Sequence, residues 1–202
     1  MPRDPLQITA VLTTVAHLAL LAGVFFGSAI QTSAFVSTEI HSALFFKILL
    51  TIAVLTEAVV SMTYICLIQR AAGEVVGLVA SVLVLAATAG WALLATYPVY
   101  QREHEIGAGM FIVTTALYAF YFIVHAKRGR FCAIFMWTAS SALACAFGSL
   151  YYGYFYDEAA LVEWACFSLY ALTLLLFFSL NPPTLYTLTP QYNNPDTSSS
   201  KV

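Results

Sequence analysis

The stretch that decides the fold is VVGLVASVLVLAATAGWALLATY, residues 75–97, which contains no charged side chain. A helix needs about 20 mainly apolar residues to cross the hydrocarbon core of a bilayer, and this stretch is long enough. Backbone groups in lipid must find hydrogen-bond partners within the protein, so the stretch is predicted to be a helix. Strands of a membrane barrel would instead alternate apolar and polar residues.

Five further stretches share this character. The chain is 61% hydrophobic and 9% charged, with a mean hydropathy of +0.84, whereas soluble domains carry about 25% charged residues. The predicted spans are 6–30, 43–68, 75–97, 106–125, 131–155 and 159–180. The sequence therefore predicts an all-α polytopic membrane protein, with one six-transmembrane-helix bundle over 1–180 and a disordered tail over 181–202. The first span is too long for a signal-peptide core and is expected to be a retained anchor.

Basic residues predict the orientation of the helices, because they concentrate on the cytoplasmic side. One set of connections and termini carries most of them: Arg3, Arg70, Lys127, Arg128, Arg130 and Lys201. Both termini are therefore expected in the cytoplasm, and the three opposite loops, which are mildly acidic, on the luminal or extracellular side. The chain is expected in the plasma membrane or in an endolysosomal or Golgi membrane.

Two ionisable residues fall near the middle of predicted spans. His17 lies in the first span and Glu57 in the second. If these spans run antiparallel, the two side chains lie at a similar depth and can form a hydrogen bond. Ionisable groups inside a membrane are costly and mark functional sites by default. The pair either holds two helices in register or serves a small transporter or proton pathway.

Motifs for ordinary catalysis are missing from the sequence. It has no Gly-rich phosphate loop, no HExxH and no Gly-x-Ser-x-Gly elbow, and no basic patch for nucleic acid. We therefore expect a non-enzymatic protein without cofactor or bound metal. Helix contacts have their own signal: Gly23-x-x-x-Gly27 and Gly73-x-x-x-Gly77 permit close backbone approach and are expected to pack within the bundle.

One segment resembles a known family. The sequence HEIGAGMF, residues 104–111, followed by Tyr118, is similar to the signature that opens the fourth span of a six-helix superfamily, and Glu163-Trp164 resembles the pair that opens its sixth span. The superfamily includes the damage-regulated autophagy modulators (DRAM), Sfk-type plasma-membrane proteins and GPI-anchor remodelling factors of the Frag and Cwh type. The first outer loop, 31–42, is shorter here than in the DRAM and Sfk branches and contains no cysteine.

This resemblance implies a non-enzymatic membrane regulator that acts in autophagy, in recruitment of phosphoinositide kinases, or in remodelling of GPI lipids. The matching residues are His104, Gly107, Ala108, Glu163 and Trp164. Gly107 and Ala108 are expected to let the fourth span pack closely. His104 and Glu163 are expected to meet near the outer interface, where they either lock two helices together or hold a lipid headgroup.

Three functions remain open on the sequence alone. The first is a membrane regulator or scaffold that binds a cytoplasmic protein through its tail, since Ser200 and Val202 match the terminal motif captured by PDZ grooves. The second is a lipid-handling or GPI-anchor-remodelling protein that uses His104 and Glu163. The third is the transporter or proton pathway through His17 and Glu57. Membrane lipids are expected partners in every case.

Overall fold

A computed structural model gives the fold, and it describes residues 4–29, 34–72, 75–98 and 101–187. Over these ranges the regular structure is entirely helical. The helices are α1 Pro5–Val24, continued by a π-helical turn Phe25–Ala29; α2 Val36–Ser42; α3 Leu44–Ala72; α4 Val76–Thr96; α5 Arg102–His125; α6 Arg130–Tyr152; α7 Tyr156–Leu180; and α8 Thr184–Thr187.

Six of these helices are long and apolar enough to cross a membrane: α1 with its π-helical turn, and α3 to α7. The six predicted spans are thus confirmed as helices, with shifted ends. The α5 helix begins at Arg102 rather than at 106, because Glu103 and Glu105 favour the positive end of a helix. The α6 helix ends at Tyr152 because the chain turns there, with Tyr154 in the left-handed region at φ 66°.

Five of the long helices, namely α1, α3, α4, α5 and α7, contact one another in a closed ring. Each packs on its neighbours in the chain, α7 also contacts α1 and α5, and the contact of α4 with α5 is the most extensive. The α6 helix lies outside this ring. It packs mainly on α7 and only loosely on α5. Its fully buried residues are Ala133 and Ser140 alone. The bundle is therefore looser between α5 and α6 than between α4 and α5.

Acidic side chains predominate at one end of the bundle and basic side chains at the other, with Arg102 and Asp4 among the exceptions. The end where α5 and α7 begin carries Glu103, Glu105, Asp157 and Glu158, and is called the acidic end below. The end where α6 begins carries Lys127, Arg128 and Arg130, and is called the basic end. This separation is the pattern on which the predicted orientation depends.

Two glycines bring α4 and α5 into backbone contact. A Cβ atom added at Gly90 would lie 2.7 Å from the backbone nitrogen of Phe111, and one added at Gly107 would lie 2.7 Å from that of Leu94. Real Cβ atoms do not approach backbone that closely, so only glycine fits at either position. Gly107 therefore sets the distance between these two helices.

The expected packing role of the first Gly-x-x-x-Gly motif is wrong. Cβ atoms added at Gly23 or Gly27 would meet nothing within 4 Å, because this face of α1 points away from the neighbouring helices. In the second motif a Cβ at Gly77 would meet the side chain of Gln69, and Gly73 lies outside the described residues.

The tail begins later than the sequence predicts. Asn181 is fully buried: its Oδ1 accepts hydrogen bonds from the backbone nitrogens of Lys127 (2.8 Å) and Arg128 (3.0 Å), and its Nδ2 donates to the carbonyl of Arg128 (3.1 Å). The Tyr186 hydroxyl donates to the carbonyl of His125 at 3.1 Å. Burial raises the pKa of Tyr186 to about 12, so the hydroxyl keeps the proton that it donates. Residues 181–187 are thus packed against the basic end, and the rest of the predicted tail lies outside the described residues.

The crossing of α4 and α5 generates the first prediction. Gly107→Ala should destabilise the protein by roughly 1–3 kcal/mol, because the added methyl group overlaps the α4 backbone. Gly109→Ala, two residues along the same helix, meets nothing within 4 Å and should leave stability unchanged or slightly raised. Thermal unfolding of both variants in detergent measures this difference. Equal melting temperatures would contradict the close backbone contact of α4 with α5 at Gly107.

Candidate functional site

The Glu163-Trp164 pair on α7 holds the short segment between the first two spans. The Glu163 carboxylate Oε2 accepts a hydrogen bond from the backbone nitrogen of Val36 at 2.7 Å. The Trp164 indole Nε1 donates to the carbonyl of Ala34 at 2.8 Å. Two adjacent side chains therefore bind a donor and an acceptor of one short backbone segment, and they fix the start of α2 against the acidic end.

Burial explains why both side chains of this pair need hydrogen-bond partners. Glu163 and Trp164 are each 4% exposed, and an unpartnered polar atom at such a site costs about 1–3 kcal/mol. The first amides of a helix have no partner within the helix, so Val36 at the start of α2 is a natural donor for a carboxylate. The motif thus has a structural role that can be read from its contacts.

Two histidines satisfy carbonyl groups at the end of α4. His104 Nδ1 donates to the carbonyl of Tyr97 at 2.8 Å, and His41 Nε2 donates to the carbonyl of Leu94 at 3.2 Å. Their ring centroids lie 5.8 Å apart. The last carbonyl groups of a helix lack partners within it, so these side chains join α2 and α5 to the end of α4.

The expected direct contact between His104 and Glu163 is not the arrangement found. Each side chain binds backbone instead: His104 that of Tyr97, and Glu163 that of Val36. The two residues nevertheless line one cleft, which Ala108 lines as well. Gly107 lies at the crossing with α4 and faces away from that cleft.

The cleft has a volume of about 300 Å³ and lies between α5 and α6 at the acidic end. It is open rather than enclosed, and the exposed residues Glu105, Gly109 and Tyr152 lie on its lining. Its lining is: from α2 and the residue before it, Phe35 and Ser37; from α5, His104, Glu105, Ala108, Gly109, Ile112 and Val113; from α6, Ala144, Cys145, Phe147, Gly148, Tyr151 and Tyr152; and from α7, Glu163. The loose contact of α5 with α6 leaves this space.

The lining of the cleft is mostly apolar and includes a few polar groups. The wall is mostly aliphatic and aromatic, with the ring of Phe35 packed edge to face against those of Phe147 (6.4 Å) and Tyr151 (6.0 Å). Polar side chains stand among these groups: Ser37, His104, Glu105 and Glu163, together with the hydroxyls of Tyr151 and Tyr152. Among the residues that the structure describes, no lysine or arginine lines the cleft. An apolar cavity with a few convergent polar groups is the usual form of a small-molecule site.

The predicted pair inside the membrane is formed. His17 Nδ1 lies 2.9 Å from Glu57 Oε2, and both side chains are more than nine-tenths buried between α1 and α3. The chamber beside them has a volume of about 30 Å³, which is room for about one water molecule. The pair therefore joins two helices beside a space of about the size of one water molecule.

Some of the residues that shape the site escaped sequence interpretation. His41 is one, because nothing near it in the chain indicates that its partner is the carbonyl of Leu94. Cys145 and Gly148 are others, because on α6 they look like ordinary small residues of a lipid-facing helix. Ser200 and Val202, the predicted PDZ ligand, lie outside the described residues.

Six helices of this length and apolar composition indicate an integral membrane protein of the multi-pass helical class. Comparisons with models of protein families, with curated proteins and with solved structures find no match.

The Glu163 anchor generates the second prediction. Glu163→Ala should speed hydrogen exchange at the Val36 amide roughly fivefold or more, because a buried donor left without its partner costs about 1–3 kcal/mol. Glu163→Gln retains an acceptor oxygen and should show a smaller effect. Glu158→Ala, at an exposed position in the first turn of α7, is the control. Exchange at Val36 that is the same in Glu163→Ala and in the control would rule out the anchor.

Proposed function

We propose that this protein binds one amphipathic lipid in the cleft between α5 and α6, and that it acts as a non-enzymatic lipid-handling protein. The cleft itself carries the proposal: it is mostly apolar, about 300 Å³ in volume and bordered by α6, which packs loosely on α5 although closely on α7. That volume is at the lower end of the range of small-molecule sites. It suits one acyl chain or ring system whose remainder stays in the bilayer.

The charge of the cleft favours one chemical class of head group. Carboxyl groups of Glu105 and Glu163 line it, and no lysine or arginine does. A phosphate monoester would meet Glu105 there and would find no compensating cation among the lining residues. A lipid whose polar end donates hydrogen bonds and has no net negative charge, such as a diacylglycerol or a ceramide, is complementary to the site.

The predicted orientation gives the leaflet. With the basic end in the cytoplasm, the acidic end and the cleft face the luminal or extracellular leaflet. This proposal agrees with the lipid-remodelling branch of the family that the chain resembles. It also gives His104 and Glu163 a common role, because both hold the backbone that frames the cleft and both line it.

Photo-crosslinking in proteoliposomes tests whether a lipid binds in the cleft. A diacylglycerol with a photoactivatable acyl chain should label peptides of α5 and α6, and phosphatidic acid with the same chains should label them several-fold less. Gly148→Leu places a large side chain in the cleft and should reduce labelling at least fivefold. Gly23→Leu adds the same side chain to α1, where a Cβ meets nothing within 4 Å, and should leave labelling unchanged.

Two results would overturn the proposal. Equal labelling by the two lipids would remove the head-group argument. Labelling that Gly148→Leu and Gly23→Leu reduce equally, in variants of equal thermal stability, would show that the crosslink does not report the cleft.

The scaffold function remains a separate prediction, because it depends on Ser200 to Val202 at the end of the chain. Deletion of residues 200–202 should abolish binding to a PDZ domain, since the terminal carboxylate and the last side chain carry that recognition. The measurement is a pull-down with the full chain and the deleted chain, matched by Lys201→Ala, which keeps both anchoring positions. Equal capture of the deleted chain would exclude this function.

A further inference from the structure

The small chamber beside the His17–Glu57 pair is surrounded by five of the six long helices. Its walls come from α1, α3, α4, α5 and α7, and most of them are aliphatic or aromatic. The polar side chains on the lining are His17, Glu57, Thr88, Thr115, Tyr118 and Tyr170. The chamber therefore lies on the axis of the bundle, at the depth of the buried ion pair.

Among the described residues, and although Tyr118 interacts with Thr115 on the same helix, two atoms of this lining make no well-aligned hydrogen bond. They are Glu57 Oε1 and Thr115 Oγ1, whose residues are 6% and 5% exposed. The other carboxylate oxygen of Glu57 bonds to His17 at 2.9 Å, so the unpartnered oxygen is the one left for the chamber. Two unpartnered polar atoms in one apolar space are costly unless a third group completes both.

The hydroxyl of Thr115 is unusual for a threonine in these helices. Thr14, Thr63, Thr88, Thr114 and Thr173 each donate to the carbonyl four residues earlier, at distances of 2.6 to 2.9 Å. That local bond is the ordinary way to satisfy a hydroxyl in a membrane helix. Thr115 does not make it, so its hydroxyl is available to a group in the chamber.

We propose that the chamber is a binding site for one water molecule, which donates a hydrogen bond to Glu57 Oε1 and accepts one from Thr115 Oγ1. The volume of about 30 Å³ is enough for one water molecule, which requires about 10–15 Å³ of such space, and a buried water needs two to four polar partners. The hydroxyl of Tyr118, on the same lining, is a further candidate partner. This inference does not depend on the proposed lipid function.

The water completes a chain of hydrogen bonds through the centre of the bundle. The chain runs from His17 on α1 to Glu57 on α3, and through the water to Thr115 on α5. Ile112, one turn before Thr115, lines both the chamber and the cleft. The water therefore positions the part of α5 that separates the two spaces.

A cation is the competing occupant, and the lining disfavours it. Glu57 already has His17 as partner on one oxygen, and a bound metal cation prefers six or more oxygen ligands, which the largely apolar lining does not supply. Water satisfies the two unpartnered atoms without adding charge to the centre of the bundle.

Infrared spectroscopy of the purified full chain tests this site. Isotope-edited difference spectra in D₂O and D₂¹⁸O report the O–D stretch of internal water that has exchanged with the labelled solvent. Thr115→Val keeps the shape of the side chain and removes the hydroxyl, so one band should be lost relative to the unmodified chain. Thr114→Val removes a hydroxyl that already donates to the carbonyl of Met110, and the band should stay.

A second variant keeps the test decisive if Thr115→Val does not fold. Glu57→Gln preserves the shape of the acceptor and removes its charge, so the same band should shift. A band unchanged in both Thr115→Val and Glu57→Gln would overturn the proposal. So would a melting temperature that rises with sodium and not with choline at equal ionic strength, because that result assigns the chamber to a cation.

Discussion

Lipid offers no hydrogen-bond partners, and most polar contacts of this bundle follow from that constraint. Threonine hydroxyls donate to the preceding turn of their own helices, Glu57 meets His17 across two helices, and Asn181 bonds on both sides of its amide. Buried polar groups in such an environment are few, and each satisfied one joins elements that apolar packing alone would leave free to slide. The polar contacts therefore set the register of helices whose apolar surfaces would tolerate many registers.

The acidic end shows how the same constraint shapes a site. Glu163 and Trp164 hold the segment that leads into α2, and His41 and His104 complete the end of α4, so three sides of the cleft are fixed by hydrogen bonds to backbone. The fourth side is α6, which has few buried residues and packs loosely on α5. A rigid frame with one yielding wall suits a ligand that enters sideways from the bilayer, because only one helix has to move. The Gly90–Gly107 crossing lies behind the frame, and its close backbone contact fixes the distance between α4 and α5.

Local sequence properties predicted the helices, because hydropathy and length act within each segment. They also predicted the His17–Glu57 pair, since depth along antiparallel spans places the two residues side by side. Other features depend on partners distant in the chain. The sequence around Asn181 is rich in proline and polar residues and is typical of a disordered tail, yet Asn181 is buried because Lys127 and Arg128 present their backbone nitrogens to it. Gly23 and Gly27 show the opposite error: the motif permits close approach, but no helix lies within reach. The cleft was not predictable, because it depends on how loosely α6 packs, and no single segment encodes that property.

The anchor between Glu163 and Val36 also bears on how the chain is made. Ribosomes deliver the segment before α2 long before its partners, since the two hydrogen bonds join residues 127 and 130 positions apart. During synthesis the Val36 amide and the Ala34 carbonyl lack these two hydrogen-bond partners until the sixth long helix has been made. The sixth long helix thus completes this end of the bundle. A chain cut short before residue 163 would retain its early spans, but the segment between the first two would lack both hydrogen bonds.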